Sequence, residues 1–404
     1  MSPVSKSKAK LAAVAAQAEL PLGPTAVEFF AGIGLARMGL EHAGFTVAWS
    51  NDLEPAKREM YEGNFTDARY PHDFVLGDVH DVTGDDLPAD VSLAWASSPC
   101  VDVSLAGARA GMQGERSSTF YEFTRVLREL PEKRRPAVVT LENVVGLATS
   151  HGGEDLAAAI AELNDLGYSV DVLTLDARWF VPQSRPRLFL VGARKAPASH
   201  PGANPQLRPE WLRAPFEDKS LTTHQALLPE IDMADVATLS DIVEDADAED
   251  VVWWDEERTA AFERSLSPVQ AERLAVLREA ESLSHRTAYR RTRKGIPMWE
   301  IRSDSIAGCL RTARGGSSKQ ALVEVGFGEL RVRWMTGREY ARLMGAGDYA
   351  LDEKLRPNQV LFGFGDAVCV PVVGWLAENY LMPLARGKMR AAPSNAKVLT
   401  VVSA

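Results

Sequence analysis

The sequence predicts an α/β fold: a doubly wound, mostly parallel sheet with a second, smaller domain. Three observations predict it. From residue 25 to about 195, short apolar runs alternate with amphipathic stretches, the βαβα order of a parallel sheet covered by helices. Gly44 and Gly167 fall where helices should stop. The alternation breaks near 195, where 196–216 holds five prolines, and it resumes only from 336.

Taken in order, Thr25–Phe30, Thr46–Ser50, Phe74–Gly77, Val91–Ala96, Ala137–Leu141 and Leu188–Val191 read as buried strands. Leu35–Ala43, Pro55–Asn64, Ser118–Leu130 and Glu154–Leu166 read as the helices between them. Residues 196–216 read as a linker, and the chain beyond as irregular to about 330, apart from one helix, Pro268–Ser284. Helices return at Thr336–Met344 and Asp366–Leu381. The expected organisation is a flexible tail 1–22, a main domain 23–195, an inserted domain 196–335 and a return 336–404 to the main domain.

Composition narrows the class. The 404 residues are 46% hydrophobic and 25% charged, ordinary for a globular chain and wrong for a disordered or fibrous one. No apolar run approaches the ~18 residues a membrane span needs, so none is expected. Cys100, Cys309 and Cys369 form no C-x-x-C pair, which argues against a disulfide scaffold and against a metal site. Lys6, Lys8 and Lys10 precede Leu11–Ala16 in the manner of a signal peptide, but that apolar run is too short, and a cytoplasmic protein is expected.

The net charge of −10 is unevenly spread. Residues 228–257 hold twelve acids and no Lys or Arg, whereas 285–342 holds thirteen Lys or Arg against five acids. Such clustering can make a basic face on an acidic protein, although two solvated surfaces explain it equally.

The strand ends carry the chemistry. Strand 25–30 runs into Phe30-Ala31-Gly32-Ile33-Gly34, a glycine turn that lets a ligand approach a helix N-terminus. A dinucleotide fingerprint would need glycine at 37, where Arg37 stands, so another adenosine-bearing ligand fits better. Asp52 follows Gly32 at the spacing from which an acid meets ribose hydroxyls, and Asp78 ends the third strand; each could instead be a helix N-cap. The fourth strand ends in Ser97-Ser98-Pro99-Cys100, placing Cys100 at the open crevice, while Cys309 and Cys369 read as inert core. A fifth strand ends in Glu142-Asn143-Val144, where a buried carboxyl can be held protonated. Arg185 and Arg187, at i and i+2 on an extended segment, share one face.

These residues, in this order, resemble the cytosine-C5 DNA methyltransferase family. The resemblance rests on Glu28–Gly34, Pro99-Cys100, Glu142-Asn143-Val144, Gln183-Ser184-Arg185-Pro186-Arg187, Arg338-Glu339 and Gly365-Asp366. It implies a Rossmann-like catalytic domain binding S-adenosyl-L-methionine, with a target-recognition domain inserted at 196–335. By resemblance Phe30, Gly32, Ile33, Gly34 and Leu35 would line the cofactor, with Pro99 beside it. Asp52 would bind the ribose, Leu53 and Val79 would pack on the adenine, Asp78 would bond its amino group, and Asp366, Ala367 and Val368 would close over it. Cys100 would be the nucleophile, Glu142 and Arg187 would hold the flipped cytosine, and Asn143 would brace the cysteine loop.

Double-stranded DNA is the implied partner, met by Ser104, Gln183, Arg185, Arg290, Arg291, Arg293, Lys294, Arg311 and Arg314, with the acidic stretch turned away and the chain acting as a monomer. Three positions depart from the family pattern: Val101 follows the cysteine where glutamine is usual, Leu35 replaces a glycine and Asp366 an asparagine.

The chemistry accounts for the residue types. Thiolate addition at C6 makes C5 nucleophilic, a proton or hydrogen bond from Glu142 at N3 and Arg187 at O2 stabilise the charge, and the covalent route divides one difficult step into easier ones. The target atom is unreachable inside a duplex, so the base must be flipped. A zinc deaminase is excluded, because no His-x-Glu is present and Val103 stands where Pro-Cys-x-x-Cys needs its second cysteine. Transfer RNA is the nearest alternative substrate, and the long 196–335 region favours DNA. A decayed, non-enzymatic module is argued against by Cys100, Glu142, Arg185 and Arg187 together. The expected setting is restriction–modification or phage defence.

Overall fold

The computed structural model describes residues 23–66, 70–98, 119–245, 247–248, 251–293, 295–311 and 319–389. Pro99, Cys100, Ser104, Lys294 and Arg314 lie outside the described residues.

The main sheet has seven strands: β1 (Thr25–Phe29), β2 (Thr46–Asp52), β3 (Asp73–Leu76), β4 (Leu93–Ser97), β5 (Val138–Val144), β6 (Ser169–Asp176) and β7 (Pro186–Ala193). Their order is β3-β2-β1-β4-β5-β7-β6, and only β7 runs against its neighbours. The chain winds outward from β1 to β3, then restarts at β4 on the other side. The switch point between β1 and β4 is where such sheets leave a crevice at their carboxyl ends. Strand β6 was not expected, although its Val and Leu residues alternate with polar ones in two phases and Gly167 ends the helix before it.

Helices α1 (Leu35–His42) and α2 (Pro55–Asn64) cover one face of the sheet, and α3 (Thr119–Glu129) and α4 (Glu154–Asp165) cover the other. The α1 side is completed by the returning chain. Gly39 lets α1 meet the last long helical segment closely, since a Cβ there would sit 2.6 Å from Val373.

The second sheet is antiparallel, in the order β11-β10-β8-β9. It comprises β8 (Ser284–Arg293), β9 (Ile296–Ile301), β10 (Ala321–Gly326) and β11 (Glu329–Trp334). Its own core joins Trp254, Phe262 of α5 (Glu256–Arg264), Leu274 of α6 (Pro268–Arg278), Trp299 and Val323. This region was expected to be irregular. Strand β8 reads SHRTAYRRTR, whose charged outer residues conceal the period-two pattern. The helix expected to run to Ser284 stops at Arg278, because Ser284 already pairs in β8.

The proline-rich stretch is a packed segment, contrary to the linker reading. Leu207, Leu212, Leu228, Leu239 and Ile242 are buried in the two main-sheet cores. Arg208 donates to both carboxylate oxygens of buried Asp171 on β6, at 2.9 and 2.6 Å.

In the returning chain, α7 (Gly337–Leu343) is followed by α8 (Pro357–Asp366) and α9 (Val370–Leu376). The helix expected over Asp366–Leu381 begins at Val370, and Asp366 instead ends a separate helix before it. Pro357 and Pro371 sit in their opening turns, a start signal that would have located both. The stretch Pro357–Ala385 is long and apolar enough to cross a membrane by length and composition, which the sequence reading had excluded; 67% of its most apolar window is buried inside the protein.

Candidate active site

Strand register aligns the carboxyl ends along one edge. Phe29 pairs with Asn51 on β2 and with Ala96 on β4, and Ser97 pairs with Glu142 on β5. Because β7 enters from the opposite direction, Arg187 pairs with Val144 and arrives beside the end of β5. One cavity runs along this edge. It touches Phe30, Gly32, Leu35, Asp52, Leu53, Asp78 and Val79 at one end and Glu142, Arg185, Arg187 and Cys309 at the other.

At the first end the backbone is drawn tight. Phe30 adopts φ +57 and Gly34 φ +83, both in the left-handed region that L side chains rarely occupy. A Cβ on Gly34 would lie 2.4 Å from the Phe65 ring. Asp52 holds the turn, accepting from the Gly32 amide at 2.8 Å and the Glu54 amide at 2.9 Å. Asp78 accepts from the His80 amide and ring, which holds its carboxyl below the usual pKa, and it caps the short helix Val79–Asp81. Leu53 is 62% exposed and Val79 is buried, so they present apolar surface on different sides. Ala367 and Val368 also line the cavity, from the α8–α9 junction and not from a helix. Among the described residues that line the cavity, Ile33 and Gly34 do not appear. Ile33 is fully buried in the core, its carbonyl held by Tyr349, and Gly34 shapes the turn.

At the other end Arg187 Nε lies 2.9 Å from Glu142 Oε1. Burial pushes the Glu142 carboxyl above its ordinary pKa, against the pull of Arg187, Arg185 and the Ser97 hydroxyl. This carboxyl is poised to hold a proton while remaining beside a cation. Asn143 donates to the Ser98 carbonyl at 3.3 Å, at the last described residue before Pro99.

Arg185 and Gln183, expected to meet DNA, have internal partners in the structure. Arg185 is buried and donates to the carbonyls of Leu310, Gly365 and Ala367 at 2.8, 3.0 and 2.5 Å, stitching three segments together. Gln183 is fully buried, donating to the Leu343 carbonyl and accepting from the Leu310 amide. Arg290 and Arg291 are exposed on β8, the latter 3.4 Å from Glu300, and exposed Arg311 also lines the cavity. Within the acidic stretch Glu244 is an internal partner, accepting from the Thr336 hydroxyl at 2.7 Å.

Sequence reasoning missed two cavity residues. Cys309, read as core, lies 3.4 Å from Arg185 Nη1 and 4.0 Å from both terminal nitrogens of Arg187. Burial alone would raise its thiol pKa, but Arg185, Arg187 and Arg311 bring it below the ordinary value. Lys57, in the first turn of α2, lies 3.2 Å from Asp366. Both join segments distant in sequence, and no local motif marks such pairs.

The sheet order and its switch-point cavity define a methyltransferase fold. Two solved Dnmt2 methyltransferases share it: that of S. pombe at TM-score 0.54 and 17% identity, covering 87% of this chain and 96% of that one, and a Spodoptera frugiperda mutant at 0.55 and 16%, covering 88% and 98%. The family model for C-5 cytosine-specific DNA methylase matches residues 25–381, and the chain belongs to that family. Among its relatives, the Type II methyltransferase M.Bsp6I of Bacillus sp. (strain RFL6) is 25% identical over 87% of this chain and 96% of its own length. M.HpaII of Haemophilus parainfluenzae is 26% identical over 89% and 90%. M.BsuFI of Bacillus subtilis is 33% identical over 42% of this chain, and the match spans 39% of that enzyme.

Proposed function

We propose that this chain transfers a methyl group from S-adenosyl-L-methionine to C5 of a cytosine flipped out of a specific duplex DNA sequence. The observation that carries this reading is the pairing of buried Glu142 with half-buried Arg187, which share one cavity with the glycine turn, Asp52 and Asp78.

The residues fit the methyl donor. A Cβ on Gly32 would meet nothing within 4 Å, so the turn leaves a ligand open space over its backbone. Leu53 and Val79 offer apolar faces for a base, and Asp52 and Asp78 offer acceptor oxygens. Phe30, Leu35 and Val368 would close the remaining sides. When bound, the donor supplies an electrophilic methyl group on a sulfonium.

The chain's own groups do the rest. The Cys100 thiolate adds to C6, breaking the ring's conjugation and leaving C5 electron-rich. Glu142 holds a proton at N3, and Arg187 meets the charge developing at O2. Once C5 carries the methyl group, a base takes the C5 proton, the C5–C6 double bond re-forms and the thiolate departs from C6. Asn143 braces the loop that carries Cys100.

DNA is the macromolecular partner in this reading. Arg290, Arg291 and Arg311 face it from the second sheet and its following loop, with Ser104 and Arg314, and the 196–335 region reads the sequence. The relatives are Type II methyltransferases, which favours a role in restriction–modification. The protein is taken as a cytoplasmic monomer. Labelled methyl donor offered with duplex DNA or with transfer RNA tests the reading. Transfer to DNA that Cys100→Ala abolishes is expected, and transfer to transfer RNA alone contradicts it.

A further inference from the structure

Lys57 and Asp366 are each placed against the field of their own helix. Lys57 is in the first turn of α2, where the partial positive charge of the helix end disfavours a cation. Asp366 is the last residue of α8, where an anion is disfavoured in the same way. Locally, Lys57 has only Glu54, the N-cap of its own helix, and for Asp366 the helix end offers no such offset. Across space, however, Lys57 Nζ lies 3.2 Å from Asp366 Oδ2. It also lies 3.4 Å from Glu54 Oε1, on the turn after β2.

Lys57, Asp52, Glu54 and Asp366 line the same cavity. Lys57 is 18% exposed by its side chain and Asp366 41%, so the pair sits at the rim and not in the core. Burial disfavours the ammonium, yet Asp52, Asp366 and Glu54 together hold its pKa above that of an ordinary lysine. Without the lysine, three carboxylates would face one another across the opening with Asp366 on the far wall, a repulsive arrangement. The helices do not need the pair to dock. Gln359 of α8 donates to the Ala56 carbonyl at 3.0 Å and to Glu59 at 2.8 Å, and Tyr349 donates to the Met60 carbonyl at 2.8 Å.

The geometry points to Lys57–Asp366 as an ionic clasp across the cofactor cavity, with Lys57 a positioning residue that keeps the returning chain closed over the bound methyl donor. This rests on the methyl-donor reading above. Lys57 acts through Asp366 and the wall it holds, and takes no part in methyl transfer.

The test is a double-variant cycle on the full chain, reading cofactor affinity by calorimetry with S-adenosyl-L-methionine. Lys57→Met is expected to weaken binding about tenfold, the scale of a coupled, partly buried ion pair. Lys57→Arg keeps the charge and should stay within about threefold of wild type. Combining Lys57→Met with Asp366→Asn should leave affinity within about threefold of Asp366→Asn alone, since the clasp is already open in that variant. Raising salt should weaken wild-type binding more than that of the double variant. In turnover assays Lys57→Met should raise the KM for cofactor while leaving kcat and the KM for DNA nearly unchanged. Additive losses, an unaffected or tighter Lys57→Met, or equal salt dependence in both proteins would overturn the clasp. Failure of the wild-type chain to bind the cofactor at all would overturn the methyl-donor reading, and the clasp with it.

Discussion

Arg187 approaches Glu142 from an antiparallel strand, Nε to Oε1 at 2.9 Å, so the two groups meet at one end of a sheet although their strands run in opposite directions. Glu142 is buried, and burial lifts the carboxyl's affinity for a proton even with the guanidinium alongside. Glu142→Gln should therefore slow methyl transfer by roughly 10²–10⁴-fold, the range for loss of a general acid. A loss below about threefold would show that the carboxyl is not needed.

The same shift gives a pH signature. A raised pKa keeps the Glu142 proton to higher pH than an ordinary carboxyl, so its contribution is present on the acid side and lost as pH rises through that raised value. Single-turnover rates of the wild type should show this alkaline limb. The glutamine variant, which cannot titrate, should lack it, and an identical limb in both proteins would assign it elsewhere.

Cys309 should be the more reactive of the two described cysteines. Arginines lower its pKa and it lines the cavity, whereas burial pushes Cys369 up to about 12. In a Cys100→Ala background, a thiol-alkylating reagent followed by peptide mass spectrometry should label Cys309 well before Cys369. Equal labelling would mean that the arginine contacts do not persist in solution.

The strand-end residues that line the cavity were legible in the sequence. Glu142 and the Gly32 turn stand where a βαβ chain must place its carboxyl-edge residues, and the glycine and proline signals fixed most of the early elements within a residue or two. The internal partners of Arg185 and Gln183 were not legible, because they are backbone groups of segments more than a hundred residues away. Cys309 and Lys57 were unreadable on the same grounds. The second sheet was hidden because Arg-rich strands with one wet face lack a continuous apolar run.

Half-buried His72 gives a stability signature. Burial and the Arg37 charge lower its pKa from 6.5 to about 3, and its ring bonds to Tyr61 and Ser50 at 3.1 Å. Between those values the unfolded chain binds a proton that the folded chain excludes, so stability is full above pH 6.5 and falls as pH drops toward 3. Denaturant melts of wild type should lose about 1–2 kcal/mol from this group between pH 7 and 5. His72→Gln should show a correspondingly shallower acid decline, and an unchanged slope would exclude the assignment.

Gly34 should tolerate no side chain. Alanine there would combine a left-handed φ of +83 with a Cβ 2.4 Å from the Phe65 ring. Gly34→Ala should cost about 1–3 kcal/mol in urea unfolding and weaken cofactor binding in parallel. Wild-type stability in that variant would show the turn to be less constrained than its geometry implies.

The covalent bond between the sulfur of Cys100 and C6 of the target ring is the central claim, and trapping it is the most direct measurement. A duplex carrying 5-fluorocytosine at the modified position, incubated with the protein and S-adenosyl-L-methionine, cannot release the C5 substituent. A conjugate that survives a denaturing gel and maps to Cys100 is the predicted result. No conjugate, on a sequence the protein demonstrably methylates, would contradict it.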